Sequence, residues 1–583
     1  MASMTRDQIV TTLEEMALLL ELKGENPFKV RAYRMGAETV QSFAGDIVSR
    51  AADRDLSGIK GIGGALQDNL HEMTTTGQLE FYKNLKGEFP ETLFELFDIQ
   101  GLGAKKIKAL YEQLGVQSIE DLRRVCQSGE ASKLKGFGKK SVDKFLESIA
   151  FREQYADHFH QDTAMAGAEI ILDSLKGHPS VSRVEAAGSL RRGKETLHDL
   201  DFIVATKDPQ SVMDHFVEQP FVTQVINHGA TKSSIRIENG IPCDLRAVSN
   251  DAFPFALNYF TGSKEHNVAM RGRALKMGYT LNEYRLAPTG DGKDLSKGIH
   301  EEADLYRAMG LDYIEPALRE NAGEIEAAEK GDLPRLVELE NLRGTFHNHT
   351  IASDGKNTLQ EMADAAQELG LQYLGIADHS KASLQANGLD EARLREQISE
   401  IKALNETLGD DFRLFAGSEV DIRKDGSLDF EDELLAELDY SVASIHSVFN
   451  LPEKEMTARL IRAIENPQVT MLGHLTGRLL LKREPYAVNV PAIIDSAAAT
   501  GTIIELNANP RRLDMDWRWW RLAKEKGVKC AINPDAHSAG GLQYLAFGIR
   551  IARKGWLTRD DILNCLPLAE VTEALQAKRQ LRS

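Results

Sequence analysis

Cysteines and long apolar runs are scarce in this chain of 583 residues. The four cysteines, Cys126, Cys243, Cys530 and Cys565, are far apart and form no Cys-x-x-Cys pair, which argues against a disulfide framework and a zinc finger. No apolar stretch reaches membrane-spanning length, and the polar start is unlike a secretory signal. We therefore expect a cytoplasmic protein with no membrane partner, divided into about two to four domains.

Positive charge is also in deficit, because the formal net charge is −18. The segment from Gly101 to Lys144 departs from this trend, with 10 Lys and Arg against 5 Asp and Glu. A basic segment inside an acidic protein suggests a face that binds phosphates. A solvated helix surface explains the charge alone equally well.

A small turn motif occurs three times before residue 150, where the apolar spacing predicts helices. The segments 59–63, 99–103 and 134–138 each contain Gly-apolar-Gly ahead of a helical stretch. Such a turn exposes backbone N–H groups at a helix start, where a phosphate can approach. One turn of this kind often merely ends a helix, but three predict contacts with the DNA backbone. The predicted contacts are Gly61, Gly63, Gly101, Gly103, Lys105, Gly136, Gly138 and Lys139.

The first catalytic motif is an Asp-x-Asp pair in a mixed α/β region. Asp199 and Asp201 alternate on a predicted strand, so both carboxylates point to one face, and a second strand carries Asp244. Three such carboxylates can hold two Mg²⁺ or Mn²⁺ ions and would form the catalytic centre. An isolated Asp-x-Asp is usually a turn, but here Gly188-Ser-Leu-Arg-Arg-Gly193 precedes it and can grip a phosphate tail.

The segment Tyr259-Phe-Thr-Gly-Ser263, with Asn267 and Arg271, resembles the nucleotide-binding part of family X DNA polymerases, the DNA polymerase beta-like nucleotidyltransferases. The resemblance implies deoxynucleoside triphosphate substrates and a metal triad of Asp199, Asp201 and Asp244. It also implies that Ser189 and Arg192 contact the triphosphate, that Tyr259 and Phe260 line the sugar pocket, and that Asn267 and Arg271 face the base and the template. The implied nucleotide-binding set is Gly188, Ser189, Arg192, Tyr259, Phe260, Gly262, Asn267 and Arg271.

The segment Asn26–Arg34 resembles the DNA-end-binding domain of the same family. In lyase-competent relatives a lysine forms a Schiff base with deoxyribose phosphate, and that position falls at Asn69 here. An amide cannot form the imine. We therefore expect this domain to bind gap ends without lyase activity by that route.

Histidines gather in the last part of the chain, where short β-rich runs alternate with helical segments. Six of the fifteen histidines follow residue 340, each beside a predicted strand end. With three carboxylates they form a nitrogen and oxygen ligand set that suits Mn²⁺, Zn²⁺ or Fe²⁺, with two or three ions. The predicted ligands are His347, His349, Asp354, His379, Glu419, His446, His474, Asp535 and His537.

This set resembles the PHP (polymerase and histidinol phosphatase) domain. By that resemblance His347, His349, Glu419 and Asp535 hold one ion, Glu419 bridges to a second at His446 and His474, and Asp354, His379 and His537 hold a third. In bacterial family X polymerases the domain is associated with 3′→5′ exonuclease, 3′-end-processing and abasic-site endonuclease activities. Arg478, Arg511 and Arg512 are candidate phosphate contacts.

The combined interpretation is a DNA-directed DNA polymerase that fills short gaps in base-excision repair and carries a second, phosphoesterase centre. Alternatives for the last domain are a small-molecule phosphatase or a non-catalytic end-binding scaffold. The expected partner is gapped or nicked duplex DNA, bound by a monomer. The expected fold is multidomain, in the order all-α helix-hairpin-helix domains at 1–85 and 86–150, an α+β nucleotidyltransferase palm and thumb at 151–315, a linker at 316–340, and an α/β PHP barrel of distorted TIM-like form at 341–583.

Overall fold

The computed structural model describes residues 4, 6–43, 47–59, 61–99 and 101–580. The chain divides into two compact units, Met1–Ala156 with Asp354–Thr358, and Asp157–Ser353 with Leu359–Ser583. Among the described residues, no helix has both the length and the apolar character needed to cross a membrane.

The first unit is helical, and its described part contains no strand. Two apolar clusters form its core, one centred on residues 9–85 and the other mostly on residues 93–149. This confirms the expected all-α character of the N-terminal region. Its helices are α1 Arg6–Lys23, α2 Pro27–Ser42, α3 Ile47–Ala52, α4 Gly64–Thr76, α5 Glu80–Lys86, α6 Ala104–Leu114, α7 Ile119–Gln127 and α8 Lys139–Gln154.

The second unit begins with a five-stranded sheet of order β2-β4-β7-β6-β5, in which only β4 and β7 run parallel. Helices α9 and α11 cover one face of this sheet and α12 covers the other. The elements are β1 Phe159–His160, α9 Gln161–Lys176, β2 Val181–Ala186, α10 Gly188–Arg191, β3 Thr196–Leu197, β4 Leu200–Thr206, α11 Pro209–Val217, β5 Val222–His228, β6 Lys232–Ile237, β7 Pro242–Val248 and α12 Phe253–Thr261.

A smaller helical layer follows the sheet, built from α13 Lys264–Lys276, the hairpin β8 Tyr279–Leu281 and β9 Leu286–Pro288, α14 Glu302–Ala308 and α15 Glu324–Lys330. The charged stretch expected to act as a linker contains α15 and packs tightly. Arg319 and Glu324 are fully buried there, and both have partners. Arg319 donates to Glu302, and Glu324 pairs with His266. Paired partners make the burial of these charges tolerable.

The C-terminal region contains two parallel sheets, β10-β11-β12 and β13-β14-β15-β16-β17. Isolated bridges join the sheets at both seams, His379 with Glu419 and Asn348 with Ala536. The expected barrel is therefore a ring of two sheets, and the described strands do not close into one continuous barrel. The strands are β10 Gly344–Asn348, β11 Tyr373–Ile376, β12 Arg413–Ala416, β13 Glu419–Asp421, β14 Val442–Ser444, β15 Met471–Leu472, β16 Ile503–Asn507 and β17 Cys530–Asn533.

The strands of this ring are buried on both faces, as parallel strands generally are. One face packs on the surrounding helices. The other carries large side chains such as Phe346 and Tyr440, together with Val571 and Leu575 of the last helix. The helices are α16 Leu359–Glu368, α17 Glu391–Asn405, α18 Asp432–Leu435, α19 Glu453–Glu465, α20 Val490–Thr500, α21 Trp520–Glu525, α22 Leu545–Lys554 and α23 Leu568–Gln580.

Candidate active sites

The three predicted aspartates meet on one face of the central sheet. Asp201 in β4 lies directly beside Asp244 in β7, and Asp199 immediately precedes β4. Burial and the carboxylates of Asp199 and Asp244 together raise the pKa of Asp201 to about 7. Burial and Asp244 also raise the pKa of Asp199. Crowded carboxylates with raised pKa values mark a site that a cation would neutralise.

Glycine at position 188 leaves room for this acidic cluster. Gly188 has a φ of +57°, and a Cβ atom there would lie 2.3 Å from Oδ2 of Asp201. A side chain at this position would collide with the carboxylate. Lys232 in β6 reaches the same cluster from the side, with its Nζ 2.7 Å from Oδ2 of Asp244. Lys232 was not predicted from the sequence, because it belongs to no motif and is recognisable only from its place on the neighbouring strand.

The predicted nucleotide-binding residues lie on elements that adjoin the acidic face. Gly188 and Ser189 are in α10, while Arg192 follows it, donates to the backbone carbonyl of Thr261 and pairs with Glu320 at 3.1 Å. Arg192 therefore has two protein partners, the carbonyl of Thr261 and the carboxylate of Glu320.

Helices α12 and α13 carry the rest of the set. The rings of Tyr259 and Phe260 meet edge to face at 5.0 Å, and Gly262 ends α12. Asn267 donates to the carbonyl of Tyr259 at 2.7 Å, and Arg271 donates to the carbonyl of Asn267 at 3.3 Å. These contacts order the junction between α12 and α13.

Eight of the nine predicted ligands of the C-terminal centre lie in the second unit, and Glu419 is at their middle. Its carboxylate is 3.2 Å from Nε2 of His347, 2.9 Å from Nδ1 of His379, 3.1 Å from Nε2 of His446 and 2.9 Å from Nε2 of His474. A single carboxylate among four imidazoles brings oxygen and nitrogen ligand atoms together at one point.

Asp535 forms the second meeting point of this centre. Its carboxylate lies 3.7 Å from Nε2 of His347, 3.3 Å from Nε2 of His349 and 3.6 Å from Nδ1 of His537. Asp354, the ninth predicted ligand, is in the segment Asp354–Thr358 that groups with the first unit. Its part in the centre stays a sequence-based prediction.

The donors of this centre fit a metal ion. Nε2 of His347, Nε2 of His446 and Oε2 of Glu419 are buried and make no hydrogen bond within the described residues. Burial alone would raise the pKa of Glu419, but the surrounding imidazoles of His446 and His347 hold it well below its ordinary range. Buried, convergent nitrogen and oxygen atoms that lack hydrogen bonds are what a divalent cation requires.

Carboxylates behind the ligands orient the imidazoles. Glu505 in β16 accepts from Nδ1 of His347 at 2.6 Å, and Asp421 lies 3.2 Å from Nδ1 of His446. Such partners set which ring nitrogen faces the metal. Neither residue was predicted from the sequence, although a charged residue inside the apolar run of β16 is a signal that could have identified Glu505.

The three candidate phosphate arginines differ in their surroundings. Arg478 is buried and donates to Asp516 and to the carbonyls of Arg512 and Leu513, so its donors are engaged within the protein. Arg511 pairs with Asp162 at 3.0 Å. Arg512 has its Nε 3.3 Å from Oδ2 of Asp535, which puts it beside the histidine-rich centre.

The three predicted phosphate-binding turns share one geometry. The first glycine has a left-handed φ, +94° at Gly61, +81° at Gly101 and +91° at Gly136, while the second glycine caps the following helix. The apolar residue between them is buried in each turn. Lys60 and Gln100, which complete two of the motifs, lie outside the described residues. Lys105 and Lys139 are exposed in the first turns of α6 and α8.

Comparison with known protein families covers most of the chain. A helix-hairpin-helix domain matches residues 4–79 and a SAM-like helix-hairpin-helix tandem matches residues 93–150. The DNA polymerase beta thumb matches residues 256–320, and the PHP domain matches residues 345–509. These matches contain the three turns, the α12–α13 junction and the part of the histidine-rich ring that precedes residue 510.

Individual relatives match the whole chain or a part of it. The chain is 38% identical over 575 residues to the DNA polymerase/3′-5′ exonuclease PolX of Bacillus subtilis, covering 98% of this chain and all of that protein. It is 26% identical to rat DNA polymerase lambda over 54% of this chain and 56% of the relative. A probable phosphatase of Thermoanaerobacter sp. is 27% identical over 40% of this chain and 94% of its own length. The chain therefore belongs to the family X DNA polymerases that carry a C-terminal PHP domain.

Proposed function

We propose that the protein fills short gaps in DNA during base-excision repair and trims or unblocks 3′ ends at its PHP domain by 3′→5′ exonuclease, end-processing and abasic-site endonuclease action. The observation that carries this proposal is the presence of two different clusters of candidate metal ligands in one chain, one of carboxylates and one rich in histidine. The Bacillus subtilis relative is named for both a polymerase and an exonuclease. A blocked 3′ terminus offers no attacking hydroxyl, so the two activities complement each other.

At the polymerase centre, Asp199, Asp201 and Asp244 are proposed to hold two Mg²⁺ or Mn²⁺ ions. When bound, such ions activate the primer 3′-hydroxyl and neutralise the triphosphate. Asp201 with a pKa near 7 supports this role, because a proton would leave as the cations enter. The bound nucleotide would then lie between the Gly-Ser turn of residues 188–193 and the α12–α13 junction.

Around that nucleotide, each side chain has a proposed contact. Ser189 and Arg192 hold the triphosphate, and Tyr259 and Phe260 line the sugar. Asn267 faces the incoming base and Arg271 faces the template. The hydrogen bond from Asn267 to the Tyr259 carbonyl supports this arrangement, because it ties the base contact to the sugar pocket.

At the PHP centre, the histidines and carboxylates around Glu419 and Asp535 are proposed to hold two or three Mn²⁺, Zn²⁺ or Fe²⁺ ions. Such ions would supply a metal-activated water and stabilise charge on a phosphate. Arg512 is the arginine best supported as a phosphate contact, since it lies beside Asp535. The three glycine turns of the first unit are proposed to bind the backbone of gapped or nicked duplex DNA, with the protein acting as a monomer.

Primer extension on a duplex with a one-nucleotide gap tests the proposal, with Mg²⁺ or Mn²⁺ and with or without nucleotides. Asp199→Ala is expected to abolish nucleotide addition and to spare 3′-end trimming, and His347→Ala to do the reverse. Asp251→Ala and His300→Ala change exposed residues and serve as matched controls. Loss of both activities from either active-site change would contradict two independent centres.

A second candidate function for the PHP domain is hydrolysis of a small phosphate monoester. Its support is the match to most of a probable phosphatase from Thermoanaerobacter sp.. Turnover on a 3′-phosphorylated duplex should be compared with turnover on free p-nitrophenyl phosphate. Preference for the duplex supports end processing, whereas preference for the free monoester supports the phosphatase.

A further inference from the structure

A helix of the PHP domain lies against the turn that is proposed to grip the nucleotide triphosphate. Arg550 of α22 donates to the backbone carbonyl of Leu190, and a Cβ at Gly193 would make an ordinary van der Waals contact, 3.6 Å, with the carbonyl oxygen of Arg550. Lys554, the last residue of α22, donates to the carbonyl of Arg192 at 3.1 Å. Helix α22 therefore holds the polymerase turn, which is the Gly-Ser turn of residues 188–193, by hydrogen bonds to its backbone.

Glu320 joins this helix to the turn through its charge. Its Oε1 accepts from Lys554 at 2.5 Å and from Nε of Arg192 at 3.1 Å, and its Oε2 is 3.4 Å from Nζ of Lys194. The side chain of Lys554 is 0% exposed and that of Glu320 10%. Water therefore does little to screen the competition among these cations for one carboxylate.

The competition matters because Arg192 has two potential anionic partners. In the structure it pairs with Glu320, and in the proposed reaction it contacts the triphosphate. The more of the negative charge of Glu320 that another cation neutralises, the less Arg192 loses when it turns to the nucleotide. Lys554 is the fully buried cation among the competitors, and it shares Oε1 with Arg192.

We infer that Lys554 of the PHP domain is a positioning residue for nucleotide addition, which neutralises Glu320 and so leaves Arg192 available to the incoming triphosphate. This inference rests on the proposed polymerase function. It makes the PHP domain part of the nucleotide-binding apparatus, in addition to its own centre. It also assigns Glu320 the opposite effect, because its carboxylate competes with the nucleotide for Arg192.

The test is steady-state gap filling by the full-length protein over a range of nucleotide concentrations. Lys554→Met is expected to raise the KM for the incoming nucleotide about tenfold, the loss that corresponds to one weakened charge-assisted hydrogen bond, with a smaller change in kcat. Lys554→Arg keeps the charge and should retain a KM near that of the wild type. Lys526→Met, in which an exposed lysine loses its pairing with Asp495, is the matched control.

The decisive comparison is Lys554→Met in a Glu320→Gln background. With the carboxylate removed, Lys554 has no charge to neutralise, so the KM effect should vanish. A KM increase of equal size in both backgrounds would show that Lys554 acts only through packing and would overturn the inference, as would an unchanged KM for Lys554→Met alone.

Folding is checked by circular dichroism and thermal unfolding of each variant. If Lys554→Met does not fold, Glu320→Gln alone still decides, because it should lower the nucleotide KM and an unchanged or higher KM contradicts the inference. A wild-type protein that adds no nucleotide would instead refute the proposed polymerase function.

Discussion

Buried acidic residues in the PHP centre have several hydrogen-bonding partners. Glu505 accepts from Nδ1 of His347 at 2.6 Å, from the backbone N–H of His474 at 3.0 Å and from the amides of Asn507 and Asn533 at 2.9 Å each. A fully buried carboxylate is stable only with such compensation. Burial alone would raise the pKa of Glu505, but the imidazole of His347 holds it below its usual value. Glu505 is therefore negatively charged at neutral pH. Glu505 therefore fixes His347 with Nε2 directed at the candidate ligands Glu419 and Asp535.

At this residue scale we expect Glu505→Gln to weaken metal binding at the PHP centre about 10- to 100-fold, the usual effect of losing a carboxylate behind a histidine ligand. An amide in its place can present a donor to Nδ1 of His347 and favour the wrong tautomer. The measurement is Mn²⁺ titration of metal-free protein by calorimetry. Glu525→Gln, at an exposed glutamate paired with Arg521, is the control. An affinity equal to that of the wild type would show that other groups orient His347.

At the scale of elements, buried ion pairs connect the polymerase turn to the thumb. Glu302 at the start of α14 accepts from Arg319 at 2.7 Å and from Arg191 at 2.6 Å. Arg191 also donates to the hydroxyl of Thr261 at the end of α12. One carboxylate thus holds together α10, α14 and the segment that contains Arg319. Removing the carboxylate of Glu302 would leave two cations without their shared partner. The resulting loss in the free energy of unfolding exceeds what the ion pairs themselves contribute.

Glu302 makes this connection sensitive to acid. Burial alone would raise its pKa, but Arg319 and Arg191 lower the pKa of Glu302 to about 2. Because the folded-state pKa lies below the ordinary value of 4.5, the stabilisation is present above pH 4.5 and is lost as the pH falls towards 2. The difference between these two pKa values corresponds to about 3 kcal/mol in the free energy of unfolding.

Thermal unfolding measured between pH 7 and pH 2.5 tests this pH dependence. Glu302→Gln should lower the unfolding temperature near neutrality and flatten its decline in acid. Glu238→Gln, at an exposed turn, should follow the wild type. Parallel acid profiles for Glu302→Gln and the wild type would be inconsistent with this role.

At the scale of the whole molecule, charge is divided unequally along the chain. The formal net charge is −18, whereas residues 101–144 have twice as many basic as acidic residues. That segment contains two of the three glycine turns, and Lys105 and Lys139 are exposed beside them. A protein of this net charge would be repelled by DNA over most of its surface. Phosphate contacts are therefore expected to concentrate at the helix starts that follow these turns.

Lys139→Ala tests the contribution of one such contact. We expect it to weaken binding to all duplex sequences about equally and to reduce the slope of log affinity against log salt by about 1. Fluorescence anisotropy with labelled gapped duplexes at several salt concentrations measures both quantities. Lys176→Ala, at an exposed lysine of α9, provides the comparison. A marked sequence preference in the loss, or an unchanged salt slope, would rule out a role limited to phosphates.

Several features of the fold and the sites could be predicted because they depend on local periodicity. Alternation along extended backbone puts Asp199, just before β4, on the same face as Asp201 in β4, and the Gly-apolar-Gly pattern marks the starts of α4, α6 and α8. The C-terminal β-rich runs likewise became parallel strands. Each of these relations joins residues a few positions apart, so the covalent chain itself imposes it.

Local patterns in the sequence account for the domain types, the aspartate strand and the supply of histidine and carboxylate ligands. The division of the ring into two sheets, the central place of Glu419 and the position of Lys554 behind Arg192 depend instead on how distant elements pack. The contact between Lys554 and Arg192 joins residues 362 positions apart. Packing of distant elements creates such contacts, and no short-range periodicity encodes them.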